Sequence, residues 1–181
     1  MVRMSLQGVL TAACWALFAW SWFGGATMSA EAQTPSVSEL VRMSEPELDQ
    51  VYQQGGVGTV PSGRVRGTAL VRPGSRWNRP LAKATRPLWQ GKVFDGDGGG
   101  AINRFFGLRV IRGEIYQGES WFDGGPALIL DYEHTSRLYA PYRDEIRQIG
   151  PGLYLGRMYQ RTQPQPTQTL YFVLEDRATS R

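Results

Sequence analysis

Charged side chains of both signs are interspersed with apolar and aromatic ones along two stretches in the second half of the chain, Leu108–Gln117 and Tyr142–Ile149. Successive side chains of a β-strand point to opposite faces, so residues two apart share a face. An arginine beside a carboxylate can bind the polar group of a ligand, or stabilise charge that develops during a reaction. The polar residues that share such a face are Arg112, Glu114 and Tyr116 in the first stretch and Arg143, Glu145 and Arg147 in the second.

Asp131 is the carboxylate for which the pattern most strongly predicts partial burial. It lies in Ala127–Tyr132, where both alternating sets are apolar, as is typical of a central strand. A buried carboxylate needs a partner or stays protonated, and the strand arginines could supply one. Two interpretations remain open: a solvated outer face with ion pairs worth up to about 1 kcal/mol each, or a barrel interior or mouth that binds a ligand.

The other motifs carry little chemistry. His134 is the one histidine and no G-x-S-x-G is present, so we interpret it as a loop residue. The single cysteine, Cys14, lies in the apolar N-terminal run, which excludes disulfides, cysteine-ligated zinc and cysteine nucleophiles from the mature domain. Asp95–Gly98 resembles the start of a calcium loop, but Phe106 occupies the twelfth position, so we predict a turn. No catalytic residue, metal site or cofactor is predicted.

The N-terminus has the pattern of a secretory signal. A short segment with Arg3 precedes the nearly continuous apolar run Val9–Phe23, and small residues lead to Ala30-Glu31-Ala32. The run is shorter than the roughly 20 residues that span a bilayer. We therefore predict a signal peptide over residues 1–32, cleaved after Ala32, and a periplasmic or extracellular protein. An uncleaved anchor is the alternative.

Composition indicates a globular domain. Hydrophobic residues make up 41% of the 181 residues and charged residues 20%, too few for a disordered chain. The net charge is +4, and the arginines that cause it are scattered along the sequence. A nucleic-acid-binding protein more often has a clustered basic patch, so no nucleic-acid partner is expected. Peripheral contact with the cell envelope remains an alternative, and the composition gives no oligomeric state.

Helical periodicity is confined to the first part of the mature chain, and period two dominates the rest. Ser36–Gln54 predicts two short helices with a break at Ser44, where Glu47 completes a capping box. A further short helix is predicted within Arg76–Trp89. Residues 33–66 would form a helical segment and linker, and residues 67–181 an antiparallel β domain. Its predicted strands are Gly67–Val71, Lys92–Asp95, Ala101–Phe106, Leu108–Gln117, Ala127–Tyr132, Tyr142–Ile149, Leu153–Arg161 and Thr169–Asp176.

The short connections between these strands favour antiparallel pairing, and that many strands close readily into a barrel or a curled sheet. The chain resembles uncharacterised exported bacterial proteins of the calycin-like, GXWXG-related (DUF4334) type. In calycin-type barrels a tryptophan closes one end beneath a late-strand arginine. The resemblance implies that part for Trp89, with Arg147 or Arg157 above it. The stretches that carry the resemblance are Trp89–Phe94, Ile115–Tyr116, Ile129–Tyr132, Arg143–Arg147 and Pro151–Gly156.

Three functions are compatible with this sequence. The first is an exported small β-barrel that binds an apolar or amphiphilic, lipid-like molecule. The second is a cell-envelope enzyme in which Asp131 or Glu145 is the general base and an arginine stabilises negative charge. The third is a structural or protein-binding envelope protein without a ligand cavity. The residues predicted to bind the ligand are Trp89, Arg112, Glu114, Tyr116, Asp131, Arg143, Glu145, Arg147 and Tyr154.

Overall fold

The computed structural model describes residues 34–176, so the predicted signal peptide lies outside the described residues. Three short helices are present: α1 (Val37–Leu40), α2 (Glu45–Gln54) and α3 (Asn78–Ala84). The predicted capping box at the start of α2 is confirmed, because the Ser44 amide donates to Glu47 Oε2 at 2.7 Å. No helix within the described residues is long and apolar enough to cross a membrane.

Eight antiparallel strands form a closed barrel in which each strand pairs with its neighbours in sequence and β8 pairs with β1. The fold is therefore mainly β, as the alternation predicts, and the sheet has closed rather than remained open. The first strand begins at Gly63, inside the segment predicted to be a linker. The strands are β1 (Gly63–Leu70), β2 (Trp89–Phe94), β3 (Gly100–Phe105), β4 (Leu108–Glu119), β5 (Pro126–Asp131), β6 (Tyr142–Gly150), β7 (Leu153–Gln160) and β8 (Thr167–Glu175).

One of the two alternating sets of each strand fills the barrel interior. An eight-stranded barrel is just wide enough for side chains to fill it, or to leave room for one small ligand. The interior apolar cluster includes Val65, Phe94, Leu130, Ile146 and Phe172, all nearly inaccessible to solvent. At Gly156 a Cβ would collide with the Phe172 ring, so a glycine on β7 makes room for that aromatic side chain.

A second apolar cluster lies on the outside of the barrel, where the helices cover part of the sheet. Leu155 and Val173 point outward from β7 and β8, and they pack against Leu40 of α1 and Leu48 and Tyr52 of α2. Both faces of these strands are therefore buried. This arrangement means that burial alone does not distinguish an inward side chain from an outward one.

The two ends of the barrel are built differently. At the end where β6 finishes, Val57 packs against the interior cluster, and Tyr154 donates to the Thr59 carbonyl at 2.9 Å. At the opposite end, where β2 begins, the long connection between β5 and β6 places Tyr139 against the Phe105 ring, 6.2 Å between centroids. The first end is covered by packed chain, and the second end holds the cavity described next.

Candidate ligand site in the barrel mouth

A cavity of about 140 Å³ lies at the end of the barrel where β2 begins and β3 ends. We call this cavity the barrel mouth. Aromatic and aliphatic side chains form most of its wall, and four polar side chains complete it. The apolar residues are Ala69, Trp89, Phe105, Tyr139, Met158, Leu170 and Phe172, and the polar residues are Lys92, Asn103, Tyr132 and Asp144.

Lys92 is the centre of the polar group. Its side chain is almost inaccessible to solvent, and Nζ donates to Asn103 Oδ1 at 2.7 Å, to Tyr132 OH at 2.8 Å and to Asp144 Oδ2 at 2.8 Å. An ammonium group has three protons and no lone pair, so these three acceptors satisfy it completely. Trp89 is linked to the same group, because its indole N–H donates to Asn103 Oδ1 at 3.1 Å.

Asp144 has one oxygen that the protein leaves unpaired. Its Oδ2 accepts hydrogen bonds from Lys92 and from Tyr132, the latter at 2.6 Å. Its Oδ1 is buried and has no hydrogen-bond partner among the described residues, although Asp144 is only 3% exposed. A buried acceptor without a partner costs about 1–3 kcal/mol. The side chain lines the barrel mouth, so a molecule in the cavity could supply the missing donor.

Electrostatics keep this group neutral as a whole. Burial lowers the pKa of Lys92, while the charge and hydrogen bond of Asp144 oppose that change. Burial, together with the nearby Asp144 carboxylate, holds the pKa of Tyr132 well above its usual range, so Tyr132 stays a donor. Lys92 and Asp144 lie 2.8 Å apart as an ion pair, which carries no net charge. The barrel mouth therefore offers a neutral, polar recess in an aromatic wall.

The aromatic wall also stabilises the lysine. Lys92 Nζ lies 5.7 Å from the Trp89 ring centroid and 5.5 Å from those of Tyr132 and Phe172. The resemblance to calycin-type barrels implies Arg147 or Arg157 above Trp89. The structure places Arg147 over the Tyr52 ring and Arg157 over the Phe122 ring instead, because both arginines point outward from their strands.

Two of the predicted ligand residues point into the barrel. Trp89 lines the barrel mouth, and Tyr154 belongs to the interior cluster near the opposite end. The other seven lie on the outer face of β4, β5 and β6, since their strand neighbours Ile115, Leu130 and Ile146 fill the interior. These seven are Arg112, Glu114, Tyr116, Asp131, Arg143, Glu145 and Arg147.

Two of the outward-facing carboxylates are held in ion pairs, Asp131 with Arg161 and Glu145 with Arg143. Asp131 accepts two hydrogen bonds from Arg161, at 2.6 and 2.7 Å. Burial opposes ionisation of Asp131, but the Glu133 amide and the Arg161 guanidinium outweigh it and lower its pKa. Glu145 is fully buried and accepts from the Ser120 hydroxyl at 2.5 Å and the Trp121 amide at 2.9 Å. These contacts fix the segment after β4 to the outside of the barrel.

The residues considered for metal or hydrolytic chemistry stay apart. His134 is exposed in the connection between β5 and β6. The Asp95–Gly98 segment forms a turn, closed by a 3.1 Å hydrogen bond from the Gly98 amide to the Asp95 carbonyl. Within residues 34–176, no group of three or more histidines, cysteines or carboxylates is arranged to hold a metal ion.

The structure defines a closed eight-stranded antiparallel barrel with a small cavity, lined by a buried lysine–aspartate pair, at one end. No family model matches the chain, and neither does any curated protein. A solved structure described as a protein from Thermomonospora curvata is similar, with 18% sequence identity and a TM-score of 0.45. The similarity covers 74% of this chain and 88% of that one.

Proposed function

We propose that the protein binds a small amphiphilic molecule in the barrel mouth, with its apolar body against the aromatic wall and its polar group at Asp144. The observation that carries this proposal is the unpaired, buried Oδ1 of Asp144 beside the cavity. Exported status and a calycin-like, GXWXG-related origin remain part of the proposal. A ligand-binding barrel in the cell envelope is in keeping with both.

The size of the cavity limits the ligand. In another protein, an engineered apolar cavity of about 150 Å³ holds one benzene molecule. The barrel mouth, at about 140 Å³, suits a single six-membered ring or a short branched chain. A longer lipid-like molecule would place one end in the cavity and leave the remainder outside it.

The polar side chains of the barrel mouth favour a ligand that donates a hydrogen bond. Asp144 Oδ1 can accept a hydrogen bond, whereas the three protons of Lys92 already have acceptors. A hydroxyl or neutral N–H group satisfies the free oxygen. A carboxylate would add a second negative charge beside Asp144 and is disfavoured. The proposed ligand class is therefore an alcohol, phenol or amide with a compact apolar body.

The two alternatives have less support. A cell-envelope enzyme built on Asp131 or Glu145 needs a carboxylate that can reach a substrate. Both carboxylates lie outside the barrel mouth, and protein donors already bind their oxygens. A partner-binding protein needs an exposed apolar patch. The hairpin between β3 and β4 offers one, since Phe106 is 69% and Leu108 66% exposed. This patch favours the partner-binding alternative and does not compete with the cavity for residues.

Phenol and benzene are matched probes for the ligand site. We expect phenol to shift the amide resonances of Lys92, Asn103 and Asp144 in the labelled protein. It should bind about tenfold more tightly than benzene, because only phenol can donate to Asp144. Leu170→Phe fills the mouth and should abolish both titrations, whereas Leu138→Phe enlarges an exposed leucine outside it and should leave them unchanged.

The proposal would be overturned by phenol shifts scattered over the surface, or by phenol binding that Leu170→Phe does not weaken. Native mass spectrometry of the protein from its own host addresses the natural ligand. A co-purified neutral molecule with a hydroxyl or N–H group supports the assignment. A co-purified carboxylate displaced by phenol contradicts the proposed donor chemistry.

A further inference from the structure

Four arginines line one groove on the outside of the barrel, separate from the barrel mouth. We call it the arginine groove. Arg64 and Arg66 lie on β1, Arg104 on β3, and Arg86 between α3 and β2. The groove has a volume of about 390 Å³, and Gly67, Gln90 and Glu175 complete its lining.

The local backbone brings β1 and β2 close together beside the groove. Residues 64 and 66 are two apart and share the outer face of β1. Gly91 of β2 pairs with Arg66 and has a φ of +106°, and a Cβ there would collide with the Val65 carbonyl. A residue with a side chain is therefore excluded at this position. The close pairing of the two strands places Arg64 and Arg66 in the same groove as Gln90.

Positive charge in the arginine groove is poorly compensated. The Arg66 guanidinium Nη1 lies 3.9 Å from Glu175 Oε2. The other three arginines, Arg64, Arg86 and Arg104, have no ion-pair partner among the described residues. Burial, and then the charges of Arg64 and Arg109, lower the pKa of Arg104. Like charges this close repel one another, and a bound anion would relieve that repulsion.

Gln90 adds a hydrogen-bond acceptor to the same groove. Its Oε1 is buried and has no partner among the described residues. A guanidinium group only donates, and it matches the oxygens of phosphate in a bidentate manner. The groove thus presents donors for an oxyanion and one acceptor for a hydroxyl group on the same molecule.

We infer that the arginine groove is a second binding site, for a phosphomonoester that carries a hydroxyl group. Its volume lies within the range of about 300–1,000 Å³ typical of small-molecule sites and exceeds the need of a phosphate ion alone. Arg64, Arg86 and Arg104 would hold the phosphate, and Gln90 would accept from the hydroxyl. This inference does not depend on the proposed function of the barrel mouth.

Calorimetric titration with glycerol 3-phosphate tests the site, with sulfate as the comparison because it has no hydroxyl donor at neutral pH. We expect glycerol 3-phosphate to bind more tightly than sulfate. Arg104→Gln should weaken it about tenfold or more, since a charge-assisted bidentate contact is lost. The variant should fold at least as stably as the original protein, because it removes an arginine that is repelled by its neighbours.

Arg137→Gln is the matched control, because Arg137 is exposed in the connection between β5 and β6 and does not line the groove. It makes the same change in net charge and should leave the affinity within about twofold of the original. If both variants weaken binding equally, or if sulfate binds as tightly as glycerol 3-phosphate, the assignment is wrong.

A lipid headgroup could supply the same phosphomonoester. Vesicles of phosphatidylcholine with lysophosphatidic acid, which keeps a free glycerol hydroxyl beside its phosphate, distinguish this source from a soluble ester. Binding to these vesicles that is lost in Arg104→Gln, together with no binding of glycerol 3-phosphate, assigns the groove to a lipid headgroup. Binding of glycerol 3-phosphate without vesicle binding assigns it to a soluble ligand. If neither binds, the groove is not a phosphomonoester site.

Discussion

At the scale of single residues, burying the lysine–aspartate pair inside the barrel has a large desolvation cost. The side chains of Lys92 and Asp144 are 2% and 4% exposed, and their nitrogen and oxygen are 2.8 Å apart. Removing both charges from water costs several kcal/mol per ion, which the pair recovers only through good geometry and further hydrogen bonds. Asn103 and Tyr132 supply those bonds.

Replacing one member of this pair should lower the free energy of unfolding more than replacing both members. We expect Lys92→Met to lower the free energy of unfolding by about 3–5 kcal/mol, because Asp144 is left as a buried, uncompensated charge. The double variant Lys92→Met with Asp144→Leu should lose less than Lys92→Met alone. Urea unfolding of the three proteins at neutral pH measures this.

Arg112→Met is the control for this experiment, since it breaks the ion pair with Asp95 on the surface. Arg112 has a side chain that is 50% exposed, so its removal should cost no more than about 1 kcal/mol. A double variant at least as unstable as Lys92→Met would contradict the view that the unpaired charge is what destabilises the protein.

Strand alternation indicated which residues share a face but not which face is inside. Asp144 is flanked by Tyr142 and Ile146 on its own face, and that apolar setting was the available signal for its position. Arg143, Glu145 and Arg147 attract attention because they are charged, yet they lie outside. The sequence could not decide between the two sets, because helices and loops bury the outer face as well.

At the scale of secondary-structure elements, Arg157 joins helix α2 to the barrel. It points outward from β7, lies 3.7 Å from the centre of the Phe122 ring, and pairs with Asp49 of α2. Its Nε donates to Tyr159 OH at 2.9 Å. A short helix is only marginally stable by itself, so this attachment and the apolar contacts must hold it.

Arg157→Met should release α2 preferentially. We expect a loss of about 2 kcal/mol in unfolding free energy, because the broken ion pair joins an almost buried arginine to an aspartate that is 29% exposed. Hydrogen exchange should accelerate more in Glu45–Gln54 than in β5. Arg161→Met breaks a pair with Asp131 on another side of the barrel and should leave exchange in α2 unchanged. Equal acceleration in α2 and β5 would show that Arg157 supports the whole fold instead.

The positions of the elements follow from local patterns, which is why they could be predicted. Turns rich in glycine, proline and aspartate separate the strands, and each predicted strand overlaps an observed one. The arginine groove could not be predicted in this way. Residues 50–94 contain eight lysines and arginines and no acidic residue. These residues are spread along the sequence, and only the fold brings Arg64, Arg66 and Arg86 together with Arg104 of β3.

At the scale of the whole molecule, we expect tyrosine side chains with raised pKa values to lower stability at alkaline pH. Burial is the largest cause of a raised pKa for seven tyrosines spread over α2, the strands and the β5–β6 connection. In the unfolded chain these groups ionise near pH 10. Their contribution to stability is therefore complete below pH 10, and it is lost as pH rises through the higher folded pKa values.

Tyr171 is the side chain on which this alkaline loss can be tested. Burial, with a hydrogen bond to Asp49, raises its pKa to about 12. Tyr171→Phe should lower stability modestly at pH 8, by about 1 kcal/mol for the lost bond. It should also make the decline between pH 10 and 12 less steep, because one titrating group is gone. Lys92, whose pKa is lowered, acts in the opposite direction, because its effect falls between its lowered folded pKa and its ordinary value of about 10.5. Both proteins keep Lys92, so it does not alter the difference between them. Urea unfolding at several pH values measures the slope, and parallel curves for the two proteins between pH 10 and 12 would rule out this role for Tyr171.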